Sequence, residues 1–135
     1  MRHVQVDAST GEIRAILECD PQVAALNAPD GMLVVQDSEA DPDRHYYDGA
    51  GVRREKGVMP VEVSGLQIAA DGIEQIRISG VPQGTLVYFP HGAEVPAPED
   101  GQIRYSTQVP GLHRIVLRNA QFFTEMVDFH AVNPE

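Results

Sequence analysis

The sequence predicts an all-β protein, a small N-terminal β-hairpin module followed by an antiparallel β-sandwich. Three observations predict it. Glycine and proline, 12 and 10 of the 135 residues, are spread along the chain and leave few windows free of helix breakers. The longest unbroken apolar runs, such as Met32–Val35, are four residues, and apolar residues mostly alternate with polar ones. Beyond residue 57, strand-like segments and turn signals follow one another closely. The long helices that separate strands in a nucleotide-binding α/β fold are missing.

The elements follow in order. Val4 and Val6 alternate with polar neighbours, and Glu12–Cys19 alternates again, so the two read as a hairpin. Gly11 supplies the positive φ that closes the loop between them. Ile13, Ala15, Leu17 and Cys19 are expected on one strand face. Asp20-Pro21 ends that strand, because proline cannot donate to a ladder. Gln22–Asn27 suits a short helical turn, Ala28–Gly31 a turn, and Met32–Gln36 a third strand. Asp37–Asp43 is an acidic loop. His45-Tyr46-Tyr47 is a short aromatic strand that Asp48-Gly49 turns back toward Val52. The charged stretch Arg53–Gly57 and then Val58-Met59-Pro60 mark the boundary, dividing the chain into 1–57 and 58–135.

In the second part Val61, Val63, Leu66 and Ile68 read as one strand broken around Gly65. Ile76 and Ile78 alternate with Gln75 and Arg77. Val81–Gly84 has the proline and glycine placement of a type II turn. Thr85–Phe89 is apolar on both faces, as a central strand can be. Glu94-Val95 is a weak strand signal interrupted by Pro96 and Pro98. Ile103 and Tyr105 alternate, and Leu112–Arg118 follows the Pro110-Gly111 turn. Phe122–Val132 fits either a helical stripe or a strand. The β-branched run before it favours a strand whose face carries Phe123, Val127, Phe129 and Ala131.

Formal net charge is −10, and nine of the ten bases are arginine. Phosphate backbones and anionic lipid repel such a chain, so neither nucleic acid nor membrane is an expected partner. The acids are scattered, which suits solvated faces better than a mimic of DNA. The N-terminus, Met-Arg-His-Val-Gln-Val, has no signal-peptide apolar region. One cysteine, Cys19, cannot form an intrachain disulfide.

The sequence contains no G-x-S-x-G, H-E-x-x-H, C-x-x-C, Walker or dinucleotide fingerprint, so a non-enzymatic protein without cofactor or metal is expected. The five histidines share no metal-ligand spacing. Asp37, Glu39, Asp41 and Asp43 alternate like the start of a calcium loop. Pro42 occupies the position that needs glycine, and Asp48 the one that needs glutamate. His45-Tyr46-Tyr47 can form an aromatic platform for a sugar or peptide, or pack on a hairpin. Arg53-Arg54 is most simply a solvated pair, and in an acidic protein it can also dock an acidic neighbour.

Three phrases carry a resemblance. They are Asp7-Ala-Ser-Thr-Gly-Glu-Ile13; Asp41-Pro-Asp-Arg-His-Tyr-Tyr-Asp-Gly49 with a basic segment ending at Pro60; and Gly80–Val87 with Asp100–Ile103 and Val109–Val116. In this order they resemble small tail-associated proteins of tailed bacteriophages, from the tail-fibre region. Arg44 stands where that pattern has threonine, and Leu112-His113 where an aromatic is common. The resemblance implies that the second module is an immunoglobulin-like sandwich. It also implies a structural or adaptor role in the virion tail, with the protein made in the host cytoplasm. Its partners would be other tail or tail-fibre proteins, with a homo-oligomer in the virion among them. The exposed aromatics and bases chosen as contact residues are Tyr46, Tyr47, Arg53 and Arg54. A fibre-assembly chaperone and a carbohydrate-binding module at the tail tip are the alternatives.

Overall fold

The computed structural model describes residues 2–18, 20, 22 and 29–134, and the architecture is all-β with several antiparallel sheets. The chain divides into two compact units: Met1–Gly57 with Ala120–Phe123, and Val58–Asn119 with Thr124–Glu135. The expected helical turn at 22–27 lies outside the described residues but for Gln22, and Cys19 lies outside them too.

Unit 1 contains β1 (Arg2–Asp7), β2 (Ile13–Glu18) and β3 (Met32–Gln36), which form an antiparallel sheet in the order β2-β1-β3. A second, two-stranded sheet pairs β4 (His45–Tyr47) with β5 (Arg53–Glu55). The β1–β2 ladder contains a bulge: Gln5 pairs with Ala15 but Val6 pairs with Ile13, so Arg14 is an extra residue. The bulge corrects the expected face of β2. Ile13 turns inward with Val4 and Val6, whereas Ala15 and Leu17 share the opposite face with Gln5 and His3. The core of the unit is Val4, Val6, Ile13, Ala40 and Tyr47, with Val35 packed against it.

Gly11 closes the β1–β2 loop at φ 78°. It is also pressed against β4: the Tyr47 N–H donates to the Gly11 carbonyl at 2.9 Å, and a Cβ on Gly11 would overlap the Tyr47 carbonyl oxygen. Only glycine meets both demands. At the end of this unit Gly57 forms a parallel bridge with Phe122. The Gly57 N–H donates to Gln121 at 3.1 Å and the Phe123 N–H to Gly57 at 2.8 Å. Ala120–Phe123, expected in the second module, therefore belongs to the first.

Unit 2 holds β6 (Glu62–Val63), β7 (Gln67–Ala69), β8 (Ile76–Ser79), β9 (Leu86–Tyr88), β10 (Glu94–Pro96), β11 (Ile103–Tyr105), β12 (Gly111–Arg118) and β13 (Glu125–Val132). They form a five-stranded sheet in the order β10-β9-β12-β13-β7 and a three-stranded sheet in the order β11-β8-β6. All pairings are antiparallel except β7 with β13. Alternation sorts the side chains. Ile76 and Ile78, Val87, Ile115 and Leu117, and Val127, Phe129 and Ala131 are all buried. Tyr105 of the small sheet meets Phe129 of the large one edge-on at 5.9 Å.

The segment read as one strand broken at Gly65 is two strands in different sheets: β6 pairs with β8 and β7 with β13. A type II turn over Val81–Gly84 is excluded, because it needs positive φ at Gln83, and positive φ falls on Gly84 instead. The ambiguous C-terminal segment is strand over Glu125–Val132, and Val127, Phe129 and Ala131 face inward as expected, whereas Phe123, expected on the same face, precedes the strand and is exposed. Pro96 lies in β10 rather than interrupting it. That strand is a sheet edge, where a missing donor costs no ladder bond. Asn119 ends β12 and donates its side-chain amide to the Gln83 carbonyl and the Thr85 hydroxyl, both at 3.1 Å.

Candidate functional site

The β4–β5 hairpin carries all four residues expected to make contacts, and its register divides them. His45 faces Glu55, Tyr46 faces Arg54, and Tyr47 faces Arg53. Residues two apart share a face, so Tyr47 and Arg53 lie on one side and Tyr46 and Arg54 on the other. The loop between the strands explains the register. The Asp48 carboxylate accepts from the Ala50 and Val52 N–H groups, and Gly51 takes the left-handed φ of 77°. The sequence pointed to Gly49 as the turn residue; the turn uses Gly51, as a three-residue hairpin loop with a glycine bulge requires.

The inner side is a closed polar network. Tyr47, expected to be exposed, is 5% exposed and belongs to the core. Its hydroxyl donates to Asp37 at 2.6 Å, and Arg53 donates to Asp37 at 2.8 Å and to Glu39 at 3.3 Å. Burial alone would raise the Asp37 pKa. The Tyr47 hydroxyl, the Glu39 N–H and the Arg53 charge outweigh it and hold the carboxyl below its usual range. Burial, then the bond to Asp37, push the Tyr47 hydroxyl up. The hydrogen bond to Glu39, with the charges of Asp37 and Glu39, raises Arg53. Tyr47 and Arg53 are thus committed to structure.

His45 is buried as well, and its Nδ1 accepts the Asp41 N–H at 2.9 Å, which puts the ring proton on Nε2. With His45 and Tyr47 turned inward, these residues pack on the hairpin, the second of their two readings, and do not form an aromatic platform.

The outer side presents Tyr46 and Arg54. Arg44 and Lys56 continue this face one pair further along, joined by the Lys56 N–H donating to the Arg44 carbonyl at 2.8 Å. Three cations and a half-buried tyrosine therefore line up in a protein whose formal net charge is −10. Arg54 donates to Asp48 at 2.9 Å and Arg44 to Glu55 at 3.4 Å, both at exposed sites where a partner can compete for them. The Val52 N–H, then the Arg54 guanidinium, hold Asp48 below the usual carboxylate range. Sequence reasoning found Tyr46 and Arg54 but missed Arg44 and Lys56. The signal was the antiparallel register itself, since the numbers of paired residues in a hairpin have a constant sum.

The acidic loop is occupied by its own structure. Asp37 and Asp41 each accept the N–H two residues on, at 2.9 Å. Asp7, Asp20, Asp48, Asp71 and Asp100 do the same. Much of the acidity thus shapes turns. Among the described residues no three His, Cys, Asp or Glu side chains gather as metal ligands, and no helix is long and apolar enough to cross a membrane. A cavity of about 170 Å³ lies beside the hairpin, lined by Val6, Gly11, Leu33, Tyr47 and Asp48 among others. Small-molecule pockets usually hold about 300–1,000 Å³.

Unit 2 holds an aromatic run that joins residues distant in sequence. His91 stacks on Phe89 at 5.7 Å and on Tyr105 at 6.0 Å, and His113 stacks on Phe129 at 5.5 Å. The His113 Nε2 lies 2.8 Å from the Val109 carbonyl, so it carries the proton. The rings pack mainly against one another, which makes this cluster structural. Comparison with protein-family models, curated proteins and solved structures returns no match.

Proposed function

We propose that this chain is a non-enzymatic structural or adaptor component of a bacteriophage tail, docking other tail or tail-fibre proteins in the virion. The observation that carries the reading is the outer face of the β4–β5 hairpin: Arg44, Tyr46, Arg54 and Lys56 together in a chain of net charge −10. Local cations on an acidic protein select an acidic partner surface, while the remaining charge disfavours other approaches. A tyrosine among arginines is the composition of an interface anchor.

We read unit 2 as immunoglobulin-like and unit 1 as the hairpin module. Two features support this reading. The order β11-β8-β6 against β9-β12-β13 matches strands E-B-A against C-F-G of the immunoglobulin arrangement, without strand D. The tail-protein phrases also fall at structural turns, with Gly11, Gly80 and Gly101 all at positive φ.

Mass spectrometry of purified particles tests the role. The chain is expected in mature virions, in stoichiometric amount, and Arg54→Glu is expected to deplete it. Absence from the particles would overturn the reading and favour an assembly chaperone.

A further inference from the structure

An antiparallel sheet with one face on the core normally turns polar side chains to solvent on the other. The five-stranded sheet of unit 2 departs from this. Its inward residues are Val87, Ile115, Leu117, Val127, Phe129 and Ala131. By alternation the opposite face presents Leu86, Tyr88, Leu112, Val116 and Met126, interspersed with Arg114, Arg118, Asp128 and His130. Leu112 is 81% exposed, Met126 54% and Leu86 37%. The register makes part of the patch contiguous: Tyr88, Val116 and Met126 stand side by side across three strands and Leu86 follows beside Arg118, while the Arg114–Asp128 pair lies between this row and Leu112. An apolar row across neighbouring strands is a surface that a partner covers.

Charge indicates which partner. On this face Arg114 and Arg118 balance Glu94 and Asp128, so it is formally neutral while the whole chain carries −10. Two copies repel one another through most of their surface, and this face escapes that repulsion. A dedicated basic partner would be matched by an acidic face instead.

We propose that two copies of this chain associate through the outer face of the β10-β9-β12-β13-β7 sheet, with Met126 and Leu112 at the contact. The inference is independent of the tail reading. The size of the face sets the strength. Two strands of eight residues and three of three residues, at ~3.4 Å per residue and ~4.8 Å between strands, give a flat area on the order of 400 Å². A standard interface uses about 800 Å² per partner, so the dimer is weak and concentration-dependent rather than obligate.

Sedimentation velocity of the full chain over a concentration series tests this, with Met126→Arg and Leu112→Arg as separate variants. Both positions are exposed, and circular dichroism of each variant checks the fold. The wild-type chain is expected to shift from monomer toward dimer at about 1–100 μM. Each variant is expected to raise the dissociation constant by at least about tenfold. Added salt is expected to strengthen the dimer, because it screens the repulsion between two −10 chains while leaving the apolar contact intact. A monomer throughout the series overturns the proposal. So does a dimer that both variants leave unchanged, or one that salt dissolves; the last would place the basic hairpin of one copy on an acidic surface of another.

Discussion

Unit 1 and unit 2 are both built from short strands, yet different forces hold them. Unit 1 centres on a few small apolar side chains and one tyrosine, and fixes its second sheet with Asp37, Arg53, Glu39 and a glycine that no other residue can replace. Unit 2 buries alternating isoleucine, leucine, valine and phenylalanine from two sheets. Small β-modules cannot bury enough apolar area to hold every hairpin in place, so polar bonds and turn geometry carry more of the specification there. One consequence is that unit 1 is sensitive to charge and backbone shape, and unit 2 to side-chain volume.

The largest expected effect is in unit 2. Phe129→Ala removes a ring that is 1% exposed and packs against Tyr105 and His113. It is expected to cost about 3–5 kcal/mol, read from denaturant unfolding of the full chain. A loss below about 1 kcal/mol would break the contrast, because the site would have to collapse without a cavity.

Gly11→Ala is the corresponding test in unit 1. It combines a left-handed φ with a clash against the Tyr47 carbonyl, and about 2–4 kcal/mol is expected. Near-neutral behaviour would mean that the β1–β2 loop and β4 are not pressed together.

Tyr47→Phe keeps the ring and deletes only the hydrogen bond to Asp37, for an expected loss of about 1–2 kcal/mol. Asp37→Asn sharpens the same point through pH. The Asp37 pKa is lower folded than unfolded, so the ionised group contributes stability above the ordinary carboxylate value of about 4. That contribution is lost as pH falls through the folded value. Acid unfolding of the wild-type chain should therefore steepen below about pH 4, and Asp37→Asn should flatten part of that slope. Unchanged acid unfolding in the variant would remove Asp37 from the account.

The smallest effect is expected at Arg114 and Asp128. They lie 2.6 Å apart, but each is 56% exposed. Arg114→Ala should leave the unfolding midpoint where it was, since water screens an exposed pair. A clear shift would show that this sheet face is covered in solution, which bears directly on the proposed dimer.

Much of the fold was legible in the sequence because period-two alternation and turn residues act locally. The β1–β2 hairpin, β3, β12 and the glycine at position 11 could all be read from neighbours within a few residues. The bulge at Arg14 could not, because an extra residue leaves the alternation on either side intact and only the partner strand reveals the slip. The candidate site was half legible. Aromatic and basic residues marked the hairpin, but burial of Tyr47 depends on Asp37 and Arg53 meeting it from other segments.

The sequence by itself determined that the chain is β, where most strands begin and end, and that its charge is strongly acidic. These follow from backbone propensity and composition, which need no long-range partner. Tertiary structure alone decided that the segment around Gly65 supplies strands to two sheets, and that Tyr46 faces outward while Tyr47 faces inward. It also decided that an apolar strand face in unit 2 meets solvent instead of a second layer. Each depends on which strands pair, and pairing is a choice among distant segments that no local pattern encodes.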